Sequence, residues 1–126
     1  MADYNFLVVE DSPTMRQLIT FSLKRIRGAK IVEAGNGVEA LKKLSEEKFS
    51  LILADINMPL MDGLKLLSIV RKDPNYSHIP IIIVSTEGTE ADRDKGMQLG
   101  ANAYLPKPIQ TNDLLKTVKE LLKIQE

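Results

Sequence analysis

The sequence predicts an α/β fold, a five-stranded parallel sheet with five helices divided between its two faces. Apolar runs of strand length alternate five times with amphipathic stretches of helix length, which is the rhythm of stacked βαβ units. Leu51-Ile52-Leu53 and Ile81-Ile82-Ile83-Val84 are apolar without alternation, as strands covered on both faces require. A length of 126 residues suits one domain spanning 1–126 and is short for two.

Residues 5–9 form the first strand. Ser12-Pro13 then gives an N-cap followed by proline at the first helical position, and Met15, Leu18, Ile19, Ser22, Leu23 and Ile26 line one face of the first helix. The second strand, 30–34, alternates and carries charge, which suits an edge guarded against pairing with other chains. Asn36 or Gly37 opens the second helix, with Val38, Leu41 and Leu44 inward. Strand three is 51–54, and Gly63 opens a third helix carrying Leu66, Leu67 and Val70. Strand four is 81–84. The fourth helix, from about Thr89 to Leu99, offers only Ala91, Met97 and Leu99 to a core, and Gly96 weakens it by roughly 1 kcal/mol relative to alanine. A helix so weakly held can shift. Strand five, 103–105, runs into Pro106, which cannot donate to a ladder and so belongs at an edge. Thr111 starts the fifth helix, with Asp113 in its first turn and Leu114, Leu115, Val118, Leu121 and Leu122 inward. The two edge assignments fit a strand order of 2-1-3-4-5.

Composition narrows the function. Seventeen basic residues balance seventeen acidic ones, so no positive field is available for nucleic-acid backbones. Cysteine is absent, which removes disulfides and thiolate metal sites. No basic leader and no apolar run of membrane-spanning length is present, so a cytoplasmic, membrane-free protein is expected. His78, the one histidine, lies in a polar loop and is read as solvated. Met15, Met58, Met61 and Met97 are read as packing residues.

In open parallel sheets, ligands bind beyond the carboxyl ends of the strands, where strand order reverses. Here that point falls between strands one and three. Strand one ends in Glu10-Asp11 and strand three in Asp55, so three carboxylates meet at strand ends about 5 Å apart. Like charges that close need a cation. Oxygen-only ligands without His or Cys point to a hard ion, Mg²⁺, for which Mn²⁺ could substitute. Strand four ends in Ser85-Thr86, placing a hydroxyl beside the site, and Lys107 after strand five can carry an ammonium across about two strand spacings. A carboxylate nucleophile, a metal, a hydroxyl and a lysine suit phosphoryl transfer with an aspartyl-phosphate product.

The acidic pair Glu10-Asp11, the run Asp55-Ile-Asn-Met-Pro-Leu-Met-Asp62-Gly63, Ser85-Thr86 and Tyr104-Leu-Pro-Lys107-Pro108 resemble the response-regulator receiver family, and most of all its single-domain members of the CheY type. The resemblance covers essentially the whole chain, and it supplies part of the strand order given above. It implies that Asp55 accepts the phosphoryl group, that Glu10, Asp11, Asp55 and the backbone carbonyl of Asn57 hold Mg²⁺, and that Lys107 contacts the phosphoryl oxygens. Ser85 and Tyr104 would form the switch, while Asn57 and Glu87 would tune the lifetime of the acyl phosphate. Lys107-Pro108 resembles the family's cis peptide. The resemblance also implies a phosphoacceptor rather than an enzyme, a sensor histidine kinase as donor, and a protein target reading helix four, strand five and helix five. A phosphatase, a monomeric state and a chemotaxis pathway, or else a phosphorelay, complete the implied picture. Three departures from the family pattern bear on switching efficiency: Glu10 for the commoner Asp, Ser85 without a β-methyl, and Thr86 where alanine is frequent.

Rival readings are poorer. A flavin-binding protein of the same topology would set its cofactor's phosphate among three acids, without a Ser/Thr/Gly-rich loop after strand one to cradle it. An aspartyl-phosphate hydrolase would show Asp-x-Asp after that strand and a cap domain. A receiver that binds partners without phosphorylation would have no need of the intact Asp55, Lys107 and acidic pair.

Overall fold

The computed structural model describes residues 3–85 and 90–124. Strands β1 (Tyr4–Val9), β2 (Ala29–Ala34), β3 (Leu51–Asp55), β4 (Ile81–Ser85) and β5 (Ala103–Pro106) alternate with helices α1 (Pro13–Leu23), α2 (Gly37–Glu46), α3 (Gly63–Lys72), α4 (Glu90–Gln98) and α5 (Thr111–Leu122). All four strand pairings are parallel, in the order β2-β1-β3-β4-β5. This is the expected order, with the charged second strand and the proline-ended fifth at the edges.

The unbroken apolar runs have a direct cause. Phe6, Val8, Leu51, Leu53, Ile82 and Val84 point to one face and pack with Ile19, Leu23, Leu114 and Val118 of α1 and α5. Their neighbours Leu7, Val9, Ile52, Ala54, Ile81 and Ile83 point to the other, against Leu44, Leu66, Leu67 and Val70 of α2 and α3. Burying a side chain of this size stabilises by roughly 1.5–3 kcal/mol, so losing either helical layer would unseat the fold. Ser12, Asn36 and Asp62 cap α1, α2 and α3 by accepting from the amides of Met15, Glu39 and Lys65, each cap worth about 1 kcal/mol.

Several inward assignments need correction. Leu18 is 47% exposed and Val38 53% exposed. One residue turns a helix by about 100°, so the buried stripes through Ile19, Ser22 and Leu23 and through Gly37, Ala40 and Leu44 swing these neighbours outward. On α4, Ala91 and Met97 are exposed and Gly96 alone is buried. A Cβ at Gly96 would lie 2.6 Å from Ile83 Cδ1, so α4 docks through a residue that has no side chain. Leu99, just past the end of α4, does pack partly into the core. Thr86, Glu87 and Thr89 lie outside the described residues.

Candidate functional site

Parallel register sets the site. Val9 pairs with Ala54, and Asp55 with Val84, so Glu10 and Asp55 emerge side by side at adjoining strand ends, as the sequence predicts. Glu10 is 1% exposed and Asp55 4%, while Asp11 is exposed. One carboxylate oxygen from each of these three residues lies within 4.8 Å of the others.

Lys107 reaches this cluster from the far edge. Its Nζ donates to Glu10 Oε1 at 2.5 Å and to Asp55 Oδ2 at 2.8 Å, and its side chain is only 8% exposed. The Lys107 amide donates to the Ser85 carbonyl at 2.9 Å, which fixes the backbone from which the side chain reaches; the Lys107-Pro108 bond is cis, as the family resemblance implies. Glu10 Oε2 accepts from the Ser12 amide at 3.2 Å, and Asp55 Oδ1 from the Asn57 amide at 3.1 Å. The Asn57 side chain turns toward β4, with Nδ2 3.4 Å from Ser85 Oγ. Ser85 is wholly buried. Tyr104 is half-buried against the α2/α3 core, and its hydroxyl, itself buried, finds no partner among the described residues.

Electrostatics follow from burial. Desolvation pushes the Glu10 carboxyl up to about 7, an effect reinforced by Asp11 and Asp55 and only partly offset by Lys107 and the Ser12 amide. Burial alone would lower Lys107, but its hydrogen bonds to Asp55 and Glu10 prevail and raise it. Three carboxylates against one ammonium leave the pocket short of positive charge, and every ligand atom on offer is a hard oxygen. Such a donor set fits a divalent ion of the Mg²⁺ kind.

Sequence reasoning missed three contributors. Arg16 Nη1 donates to the Glu10 carbonyl at 2.7 Å, a backbone contact that no motif displays. Gly63 lets the loop after β3 fold back on the strand: its amide donates to the Ile56 carbonyl at 3.0 Å, and a Cβ there would sit 2.3 Å from the Asp55 carbonyl oxygen. Leu60 takes a positive φ of 68°, although nothing about a leucine announces it.

A doubly wound sheet with carboxylates at its reversal point, a lysine from its edge strand and a buried serine between them defines a signalling class rather than a single protein. The chain belongs to the response regulator receiver domain family, whose model matches residues 6–119. Within that class it is 40% identical, over 117 residues, to the chemotaxis protein CheY1 of Helicobacter pylori, covering 92% of this chain and 94% of that one. The structure is similar to the chemotaxis response regulator CheY4 of Vibrio cholerae, with a TM-score of 0.86 at 34% identity, over 97% of this chain and 99% of that one. It is also similar to the receiver domain of a Pseudomonas aeruginosa sensor histidine kinase that has a magnesium ion coordinated in its active site cleft, with a TM-score of 0.87 at 26% identity, over 97% and 99% of the two chains. Among the described residues, no helix is long and apolar enough to cross a membrane.

Proposed function

We propose that Asp55 is the phosphoacceptor of a two-component switch. The observation that carries this reading is the double contact of Lys107, whose ammonium bridges Asp55 at 2.8 Å and Glu10 at 2.5 Å. A cation so placed neutralises the carboxylate in the resting pocket and can pass to phosphoryl oxygens once they arrive. The donor is the phosphohistidine of a sensor kinase. An Asp55 oxygen attacks phosphorus, the P–N bond breaks, and its electron pair leaves on the imidazole nitrogen. Glu10, Asp11, Asp55 and the Asn57 carbonyl would hold Mg²⁺, whose charge, when bound, offsets that of the incoming phosphoryl oxygens. The Asn57 side chain, and Glu87, would set how easily water reaches the acyl phosphate.

Ser85 and Tyr104 form the switch. Ser85 Oγ, on the strand beside Asp55, would turn toward the phosphoryl group, opening space for the Tyr104 ring. The buried Tyr104 hydroxyl, which has no partner among the described residues, supports this, because a buried polar group gains by moving to a partner. Output would pass by protein contact through α4, β5 and α5, with chemotaxis as the pathway, as the relatives' names suggest. The chain would act as a monomeric cytoplasmic phosphoacceptor, with slow self-labelling and self-hydrolysis in place of substrate turnover and a phosphatase as a further partner.

Acetyl phosphate with Mg²⁺ should add one phosphoryl group to the wild-type chain, seen by intact mass, and none to Asp55→Asn. Equal labelling of both would overturn the assignment.

A further inference from the structure

We infer that Arg16 is a positioning residue of the divalent-cation site: by holding the peptide between Glu10 and Asp11, it orients two of the carboxylates that would bind the ion. The inference rests on the reading of Asp55 as a metal-dependent phosphoacceptor. Arg16 Nη1 donates to the Glu10 carbonyl at 2.7 Å, and Arg16 Nε donates to Glu33 Oε1 at 3.3 Å. One guanidinium therefore ties the turn after β1 to the edge strand β2.

A single hydrogen bond can orient two ligands because a peptide unit is planar. The oxygen that Arg16 holds shares a plane with the Cα atoms of Glu10 and Asp11, so fixing it fixes the points from which both side chains leave. Glu10 is held at its other end too, since its amide donates to the Ala34 carbonyl at 3.0 Å. Beyond Asp11, the Ser12 amide donates back to Glu10 Oε2 at 3.2 Å.

Arg16 is itself braced. Its amide donates to the Ser12 carbonyl at 2.9 Å near the start of α1. Gly35 lies alongside the guanidinium, where a Cβ would be 3.6 Å from Nη1, and the Gly35 amide is tied to Glu39 Oε2 at 3.1 Å. The planar fork of arginine serves a carbonyl and a carboxylate at once, with a rigidity that a lysine ammonium on its flexible stem lacks. Glu33 thus does more than guard an edge strand, because it anchors the group that shapes the site.

The sign of the effect separates geometry from charge. A guanidinium beside a cation site repels the cation, so if Arg16 acted through its charge alone, removing it would tighten binding. Positioning predicts weaker binding instead.

The dissociation constant for Mn²⁺ is read from the EPR signal of the free ion, and that for Mg²⁺ from its competition with Mn²⁺. Arg16→Met should weaken both ions about tenfold, the low end of what is lost when a group orienting a metal ligand is removed. The double variant Arg16→Met/Glu33→Gln, whose net charge equals that of wild type, should bind as weakly as Arg16→Met. Arg16→Lys, which keeps the charge without the fork, should fall between Arg16→Met and wild type. Labelling of Arg16→Met by acetyl phosphate should need about ten times more Mg²⁺ to reach half its maximal rate. Unchanged or tighter binding in Arg16→Met and in the double variant would overturn the inference, as would a wild type that binds neither ion. Should the methionine variants fail to fold, Arg16→Lys binding as tightly as wild type would overturn it. A wild type that binds both ions and takes no label would instead refute the Asp55 reading, while the affinities still decide the role of Arg16.

Discussion

At Lys107 a single ammonium answers two carboxylates that the fold has almost removed from water. Removing one partner from such a cluster leaves charge buried without compensation, at a cost of about 3–5 kcal/mol. Glu10 sets how that cost varies with pH. Its folded value is raised from 4.5 to about 7, so its contribution to stability is fully present below 4.5 and is lost as pH rises through about 7. Lys107→Met should therefore destabilise the metal-free chain by about 3 kcal/mol at a pH near 8, and by clearly less near 5.5, where Glu10 holds a proton. Urea unfolding at the two pH values checks this, and a loss independent of pH would mean that Glu10 is not the group left exposed to the deficit. At this scale the sequence was informative where chemistry is carried by residue type: Glu10, Asp11, Asp55, Ser85 and Lys107 all stand where strand ends put them. It was silent on Arg16, which donates to a carbonyl, and on Leu60, whose left-handed backbone no residue type announces.

Helices whose apolar spacing was strong, α3 and α5, bury the residues their periodicity marks: Leu66, Leu67 and Val70, and Leu114, Leu115 and Val118. The reading failed where contact does not depend on a large side chain. α4 shows this best, since Gly96 sits against Ile83 with no Cβ and leaves Ala91 and Met97 in solvent. Its far end is held by other means: the Arg71 guanidinium, from α3, donates to the Gly100 carbonyl at 2.9 Å and to Asn102 Oδ1 at 2.8 Å. Helix propensity favours Gly96→Ala by roughly 1 kcal/mol, whereas overpacking costs about 1–3 kcal/mol. Because Ile83 is itself 1% exposed and close-packed, the clash should win and the single substitution should destabilise. Ile83→Val removes the Cδ1 that the new methyl would meet, so adding Gly96→Ala to Ile83→Val should cost nothing further or stabilise. Denaturation midpoints of the two single variants and the double variant decide it; strictly additive losses would place the Gly96 constraint elsewhere.

Across the whole molecule, strand order turns scattered residues into one pocket. Glu10 and Lys107, at opposite ends of the chain, share a hydrogen bond because β1 and β3 lie at the centre and β5 at the edge. That order was legible because each apolar run faces two layers and each edge strand carries its own mark, charge in β2 and proline in β5. Moving α4 would cost little core, since its one buried residue is a glycine. Trapping the acyl phosphate separates Asp55 from every other carboxylate of the chain. The chain is phosphorylated with acetyl phosphate and Mg²⁺, reduced with tritiated borohydride, which converts an aspartyl phosphate to the alcohol, and then digested and sequenced by mass spectrometry. Label is expected at Asp55 and nowhere else, dependent on Mg²⁺; label at Asp11 or Asp62, or at Asp55 without any need for a divalent ion, would rule out Asp55 as a Mg²⁺-dependent phosphoacceptor.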